Sequence, residues 1–207
     1  DLQALASIHG DRLRPLALDV TQEPSIAAAA RSIAAETDRL DLVLNVAGVL
    51  HGESFSPEKK LDHVDPEALR TVFEVNAFGP LLVAKHFHGF LRHDQRSVFA
   101  SLSARVGSIS DNRLGGWYAY RASKAAQNMF TKNIAIELGR LAPKAIVVGL
   151  HPGTVATELS EPFQRNVPEG KLLSAQASVA ALLDVIDGLG SDDSGRVFDF
   201  RGEEVPP

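Results

Sequence analysis

Ala145-Ile146-Val147-Val148-Gly149-Leu150-His151-Pro152-Gly153-Thr154 sets the reading of the chain. Six residues without a polar side chain and then a turn signal describe a short strand buried on both faces. Upstream, Trp117 to about Arg140 reads as a long helix. Its apolar side is expected at Ala122, Ala125, Ala126, Met129, Phe130 and Ile134. Further upstream, Ser97-Val98-Phe99-Ala100-Ser101-Leu102, Leu42-Val43-Leu44-Asn45-Val46 and Leu16-Ala17-Leu18-Asp19-Val20 read as buried strands. Between them lie a helix entered through Pro24, and a long one from Pro66 to about His93, kinked at Pro80. Downstream, Glu158 to Lys171 reads as a mobile stretch, Ser174 to Ile186 as a helix and Arg196 to Phe200 as the last strand. Strands and helices alternate throughout, which predicts an α/β fold: a doubly wound parallel sheet of Rossmann type.

The chain has 207 residues, 44% of them hydrophobic and 23% charged, enough apolar material for one packed domain. No linker or repeat divides it, so residues 1–207 are read as a single domain. Cysteine is absent, which excludes disulfides, thiolate metal sites and cysteine nucleophiles within these residues. The net charge of −5 and the lack of a basic block argue against nucleic acid or an anionic membrane as partner. No signal peptide and no membrane-length apolar run is visible, and a cytoplasmic protein is expected. The opening residues Asp1-Leu2-Gln3-Ala4-Leu5-Ala6 read as the middle of a helix, so the natural N-terminus is expected upstream.

Chemistry is expected beyond the carboxyl ends of the strands. Tyr120-Arg121-Ala122-Ser123-Lys124 places a phenol and an amine four residues apart, on one helix face. A neighbouring ammonium favours phenolate and lowers the tyrosine pKa, which makes the pair a general acid–base unit. His86 and His88, two apart on a helix, do not face the same way and have no carboxylate partner apparent in the sequence; no metal site is expected. His51 reads as a loop histidine, and Trp117 and Tyr118 as packing residues.

Taken together, these residues resemble the short-chain dehydrogenase/reductase family. Asn45-Val46-Ala47-Gly48 is similar to its Asn-x-Ala-Gly turn. Asp19-Val20 is similar to the strand end that contacts adenine, and Asn76 to its active-site asparagine. Tyr120 and Lys124 are similar to its catalytic pair, and Pro152-Gly153-Thr154 with Thr157 to the segment beside nicotinamide. The stretch Ser103 to Lys124 looks most like the C-factor-like and sniffer-like carbonyl reductases.

The resemblance implies hydride transfer between NADP, or else NAD, and a small carbonyl or alcohol substrate. Tyr120 would then exchange the proton, with Lys124 binding ribose and Asn76 holding a relay water. It also implies a homodimer or homotetramer paired through the two long helices, with Phe87, Phe90, Met129 and Ile136 as outward candidates.

Two departures stand out. The family's serine usually lies three residues before a glycine. Counting back from Gly107 gives Ala104, so Ser103 is the candidate, ahead of Ser101 and Ser108. The family's glycine-rich phosphate loop is also absent. Gly188-Leu189-Gly190 follows a helix and reads as a helix end and turn. The sheet is therefore expected to lack its first strand–helix–strand unit, the domain being incomplete at its N-terminus. A protein of this fold that senses a nucleotide or signals without turnover is the alternative. An epimerase or dehydratase is a further one, disfavoured by the short C-terminal part.

Overall fold

The computed structural model describes residues 2–207, and the backbone alone of Asn166. The helices are α1 (Leu2–His9), α2 (Glu23–Ala34), α3 (Pro66–Phe73), α4 (Gly79–Phe87), α5 (Tyr118–Leu141) and α6 (Ala175–Gly188). The strands are β1 (Leu42–Asn45), β2 (Ser97–Leu102), β3 (Ala145–His151), β4 (Thr154–Val155), β5 (Leu172–Leu173) and β6 (Val197–Asp199).

Four of the strands make one all-parallel sheet in the order β1-β2-β3-β6, while β4 and β5 pair apart from it. Alternation along the strands divides the core. Val43, Phe99 and Val147 face Ile26 of α2, Val83 and Phe87 of α4 and Leu138 of α5. Val98, Ala100, Ile146, Val148 and Leu150 turn the other way, onto Leu182 and Ile186 of α6 and onto Phe198. Val147 and Leu150 are wholly buried. Burying each such side chain is worth about 1.5–3 kcal/mol. Helices on both faces make the sheet doubly wound, as the apolar strands predict.

Three expectations need correction. Leu16 to Val20 joins no ladder, and Leu16 and Leu18 are exposed. A parallel strand needs a neighbour for its N–H and C=O groups, and the described sheet ends at β1, two of whose leucines are themselves exposed. On α5 the buried residues are Ala119, Ser123, Lys124, Gln127, Thr131, Ala135 and Leu138, whereas Met129 and Ala122 are exposed. Polar side chains fill the inward face where it meets the strand ends, so apolar periodicity mislocates it. Glu158 to Lys171 is not featureless: it holds the 3-10 turn Glu161–Asn166 and leads into β5.

The expected break near Pro80 takes an unexpected form. Helices α3 and α4 are continuous through a π-helical turn, Glu74–Phe78. Pro80 has no N–H to give the carbonyl of Asn76. The Gly79 N–H bonds five residues back, to the Glu74 carbonyl, and the helix widens at Asn76.

Candidate active site

Asn76 is fully buried in that widened turn. Its amide grips the chain after β1 at two points: Nδ2 donates to the Val49 carbonyl and Oδ1 accepts from the Val49 N–H, each at 2.8 Å. Nδ2 also donates to Ser123 Oγ of α5 at 3.2 Å. One side chain thus joins the turn that ends in Gly48, the central helix and the helix of Tyr120.

Lys124 is 3% exposed. Its Nζ donates to the Leu102 carbonyl at 2.6 Å and to Gln127 Oε1 at 2.9 Å. Gly107, the glycine of the serine register, lies against this helix: a Cβ there would stand 2.8 Å from the Cβ of Lys124. Burial pulls the lysine pKa down to about 7 and pushes the Tyr120 phenol up to about 12. The expected lowering of the tyrosine pKa by the ammonium is therefore reversed here. Desolvation dominates, and Lys124 spends its protons on Leu102 and Gln127.

Ser103 is drawn elsewhere. Its Oγ donates to Asn128 Oδ1 at 2.6 Å, two helical turns beyond Tyr120 on α5. The hydroxyl thus links the end of β2 to α5. Ala104, in the register position, is buried and offers no hydroxyl. Ser108 accepts from the Asp111 N–H and donates to the Pro207 carbonyl, so it fastens the C-terminal residues to the loop.

The residues expected to hold cofactor fall into three groups. In the first, Asn45 ends β1 as the register partner of Ser101, a weaker candidate for the serine, and Asn45 Nδ2 and Ser101 Oγ are both buried without a hydrogen-bond partner. Two orphaned polar atoms on paired strand ends, one of which leads into Ala47 and Gly48, suit the nicotinamide–ribose end of a dinucleotide. Pro152, Gly153, Thr154 and Thr157 follow the end of β3, the strand next to β2 in the sheet. Gly153 has φ 78°, and a Cβ there would come within 3.0 Å of Phe200 and Leu173, so only glycine fits. Asp19 and Val20 sit apart, at the entry to α2. Thr21 donates to Asp19 Oδ1 through its N–H at 2.9 Å and its hydroxyl at 2.7 Å. These bonds hold the Asp19 pKa below its usual value. Val20 packs on Gly79.

Sequence reading missed several contributors. Gln127, Ser123 and Asn128 gave only weak signals, as polar residues at helical spacing from Lys124. Glu58, in the polar stretch after β1, is 3% exposed. The ring of Trp117 meets those of Tyr120 at 6.2 Å and Phe163 at 4.9 Å, and Phe163 meets His51 at 6.1 Å, an aromatic wall beside the phenol. His86 does have a carboxylate: Glu23 Oε1 lies 3.0 Å from its Nε2, reached from α2. No cluster of metal-ligating side chains occurs among the described residues. No helix among them is long and apolar enough to cross a membrane.

A Tyr–Lys pair on one helix, its lysine buried and its tyrosine half-buried, with a buried asparagine bonded to the turn after β1, at the carboxyl ends of a doubly wound sheet, matches what known proteins display. The family model for short chain dehydrogenase matches residues 2–168, and the chain belongs to that family of oxidoreductases. It is 38% identical over 171 residues to C-signal of Myxococcus xanthus, covering 82% of this chain and 94% of that protein. NADPH-bound carbonyl reductase from chicken fatty liver superposes with a TM-score of 0.87 at 28% identity, over 100% of this chain and 81% of that one. The fold of carbonyl reductase Sniffer of D. melanogaster matches with a TM-score of 0.85 at 22% identity, over 100% of this chain and 82% of that one. The C-signal match agrees with the subgroup resemblance, and the Sniffer structure adds the fold alone.

Proposed function

We propose that this protein reduces a carbonyl, or oxidises the corresponding alcohol, with a nicotinamide cofactor and with Tyr120 as the general acid–base. The observation that carries the reading is the meeting of three residues at one turn: a Cβ at Gly48 would stand 3.6 Å from Asn76 Oδ1 and 3.8 Å from Lys124 Nζ, and that Nζ lies 5.9 Å from the centroid of the Tyr120 ring. The nicotinamide, when bound, supplies or accepts the hydride. The chain's own part is the proton. The Tyr120 phenol, pushed up by burial, holds its proton at neutral pH and is the group available to give it to a carbonyl oxygen, with the direction of reaction set by the cofactor pool. Lys124 holds the floor of the site through Leu102 and Gln127, and its remaining N–H is suited to a ribose hydroxyl. Asn76 fixes the turn at Gly48. The bound NADPH of the chicken enzyme supports NADP over NAD. The substrate is a small carbonyl compound or alcohol, admitted past Trp117, Phe163 and His51.

Assembly as a homodimer or homotetramer through α4 and α5 belongs to the same proposal. Met129 and Ile136 are exposed on α5 and support it, whereas Phe87 is buried and Phe90 packs against the core.

The test is Tyr120→Phe in the natural protein, with NADPH oxidation followed over a panel of aldehydes and ketones. General acid catalysis is worth ~10²–10⁴-fold, so kcat should fall by at least about 100-fold with NADPH affinity retained. A Phe variant that keeps more than about a tenth of the wild-type rate assigns the proton to another group. A signalling protein without turnover is the second reading. The name of the C-signal relative and the alanine at the serine position support it. Absence of NADPH turnover by the wild-type protein over the whole panel would favour it.

A further inference from the structure

Helix α5, which carries Tyr120, begins in an unusual way. Gly115, Gly116 and Trp117 are three consecutive left-handed residues, with φ of 63°, 65° and 52°. Two glycines adopt this conformation freely, whereas a bulky tryptophan there is strained and persists only where its surroundings impose it. Trp117 occupies the N-cap position but has no side-chain group that accepts from the first turn. Another residue fills that role from 61 positions away.

Glu58 reaches the start of the helix twice. Its carbonyl accepts the Trp117 N–H at 2.5 Å. Its carboxylate accepts the Ala119 N–H, with Oε2 at 3.2 Å and Oε1 at 3.4 Å. The side chain is buried, although the loop around it is largely exposed. Gly116 is pressed against the same residue: a Cβ there would lie 3.3 Å from the Glu58 carbonyl oxygen. From the other side, Arg121 Nε donates to the Gly115 and Gly116 carbonyls at 3.2 and 3.1 Å. The turn is held between an acid from one loop and a base from the helix. The tryptophan so held lies edge-on to Tyr120, one helical residue past Ala119.

We propose that Glu58 is a positioning residue of the reductase site. Its two-point grip on Trp117 and Ala119 holds the left-handed turn, and through it the Trp117 ring and the Tyr120 hydroxyl, in working register. This rests on the reading of Tyr120 as the proton donor. A carboxylate suits the place because the unpaired N–H groups of a helix start carry partial positive charge. Among the described residues no other side chain is seen to cap this end. The reach of Glu58 also couples the loop after β1, which borders the substrate mouth, to the helix that does the chemistry. Small misplacements of a reacting group cost large factors in rate, so an effect on kcat is expected without direct contact with substrate.

Trp117 is the only tryptophan of the chain, and its fluorescence reports this turn alone. Glu58→Gln keeps an acceptor, and Glu58→Met keeps the volume without one. Both are made in the natural protein and compared by Trp117 emission, acrylamide quenching, and kcat and KM for NADPH-dependent carbonyl reduction. Glu58→Met should shift the emission to the red and raise quenching. It should lower kcat at least about tenfold with little change in the KM for NADPH. Glu58→Gln should restore emission and most of kcat. Wild-type emission and quenching in Glu58→Met would overturn the grip, and altered emission with unchanged kcat would overturn the positioning of Tyr120. If Glu58→Met does not fold, Glu58→Asp, one methylene short of Ala119, makes the same comparison. A wild-type protein without reductase activity would refute the reductase reading and with it the positioning of Tyr120; the fluorescence arm would still judge the grip on Trp117 and Ala119.

Discussion

Lys124 Nζ lies 5.9 Å from the centroid of the Tyr120 ring, yet donates to the Leu102 carbonyl and Gln127 instead of to the phenol. The two groups share a helix face, and desolvation drives each toward its neutral form.

The first consequence is a pH-dependent stability. Lys124 has a folded pKa of about 7 against 10.5 in the unfolded chain. Between these values the unfolded state binds more protons, so stability rises with pH across that window and falls as pH drops through it. The slope is at most about 1.4 kcal/mol per pH unit. Urea unfolding of the ligand-free protein at pH 7, 8 and 9 should show this rise, and Lys124→Met should flatten it. An unchanged slope in the variant would mean that the amine is better solvated than its 3% exposure implies.

A second window lies in acid. His151, at the end of β3, has its pKa pulled down to about 4, first by burial and then by the charge of Arg105, with Asp199 opposing. Its Nδ1 is buried without a partner. Between about 4 and 6.5 the unfolded imidazole takes up a proton that the folded one refuses, so stability is lost as pH falls through that range. The total is of order 3 kcal/mol. His151→Gln should reduce the loss between pH 6.5 and 4, as measured by thermal unfolding at each pH.

Serine variants decide which register counts. Because Ser103 serves Asn128, Ser103→Ala should cost about 1 kcal/mol of stability and only a few-fold in kcat. Ala104→Ser places a hydroxyl where the family usually has one and should raise kcat. A loss of ~100-fold or more in Ser103→Ala, the size of removing an oxyanion donor, would return Ser103 to the site.

Cofactor affinity of residues 1–207 by themselves should be poor. They contain no glycine-rich turn between a strand and a helix, the arrangement whose backbone N–H groups cradle a pyrophosphate. NADPH fluorescence titration should give a Kd well above the micromolar range. Micromolar binding would mean that other backbone groups take the phosphates.

Sequence alone determined the parallel α/β order, because a strand buried on both faces must be apolar along its whole length, as in Ala145 to Leu150. It also determined that Tyr120 and Lys124 share a helix face: they are four apart, and helix geometry brings such residues together whatever surrounds them. Local chemistry likewise carried the break at Pro80. Tertiary structure decided what local spacing does not encode. Whether Leu16 to Val20 becomes a strand depends on a neighbour, and the described sheet provides none. The inward face of α5 is polar because Ser123, Lys124 and Gln127 find partners in Asn76 and Leu102, residues far off in sequence. The direction of the pKa shifts follows from desolvation, which exists only once the chain has closed over the pair. Glu58 was invisible for the same reason: a charged residue in a polar loop becomes a helix cap only when folding carries it 61 positions along the chain to Ala119.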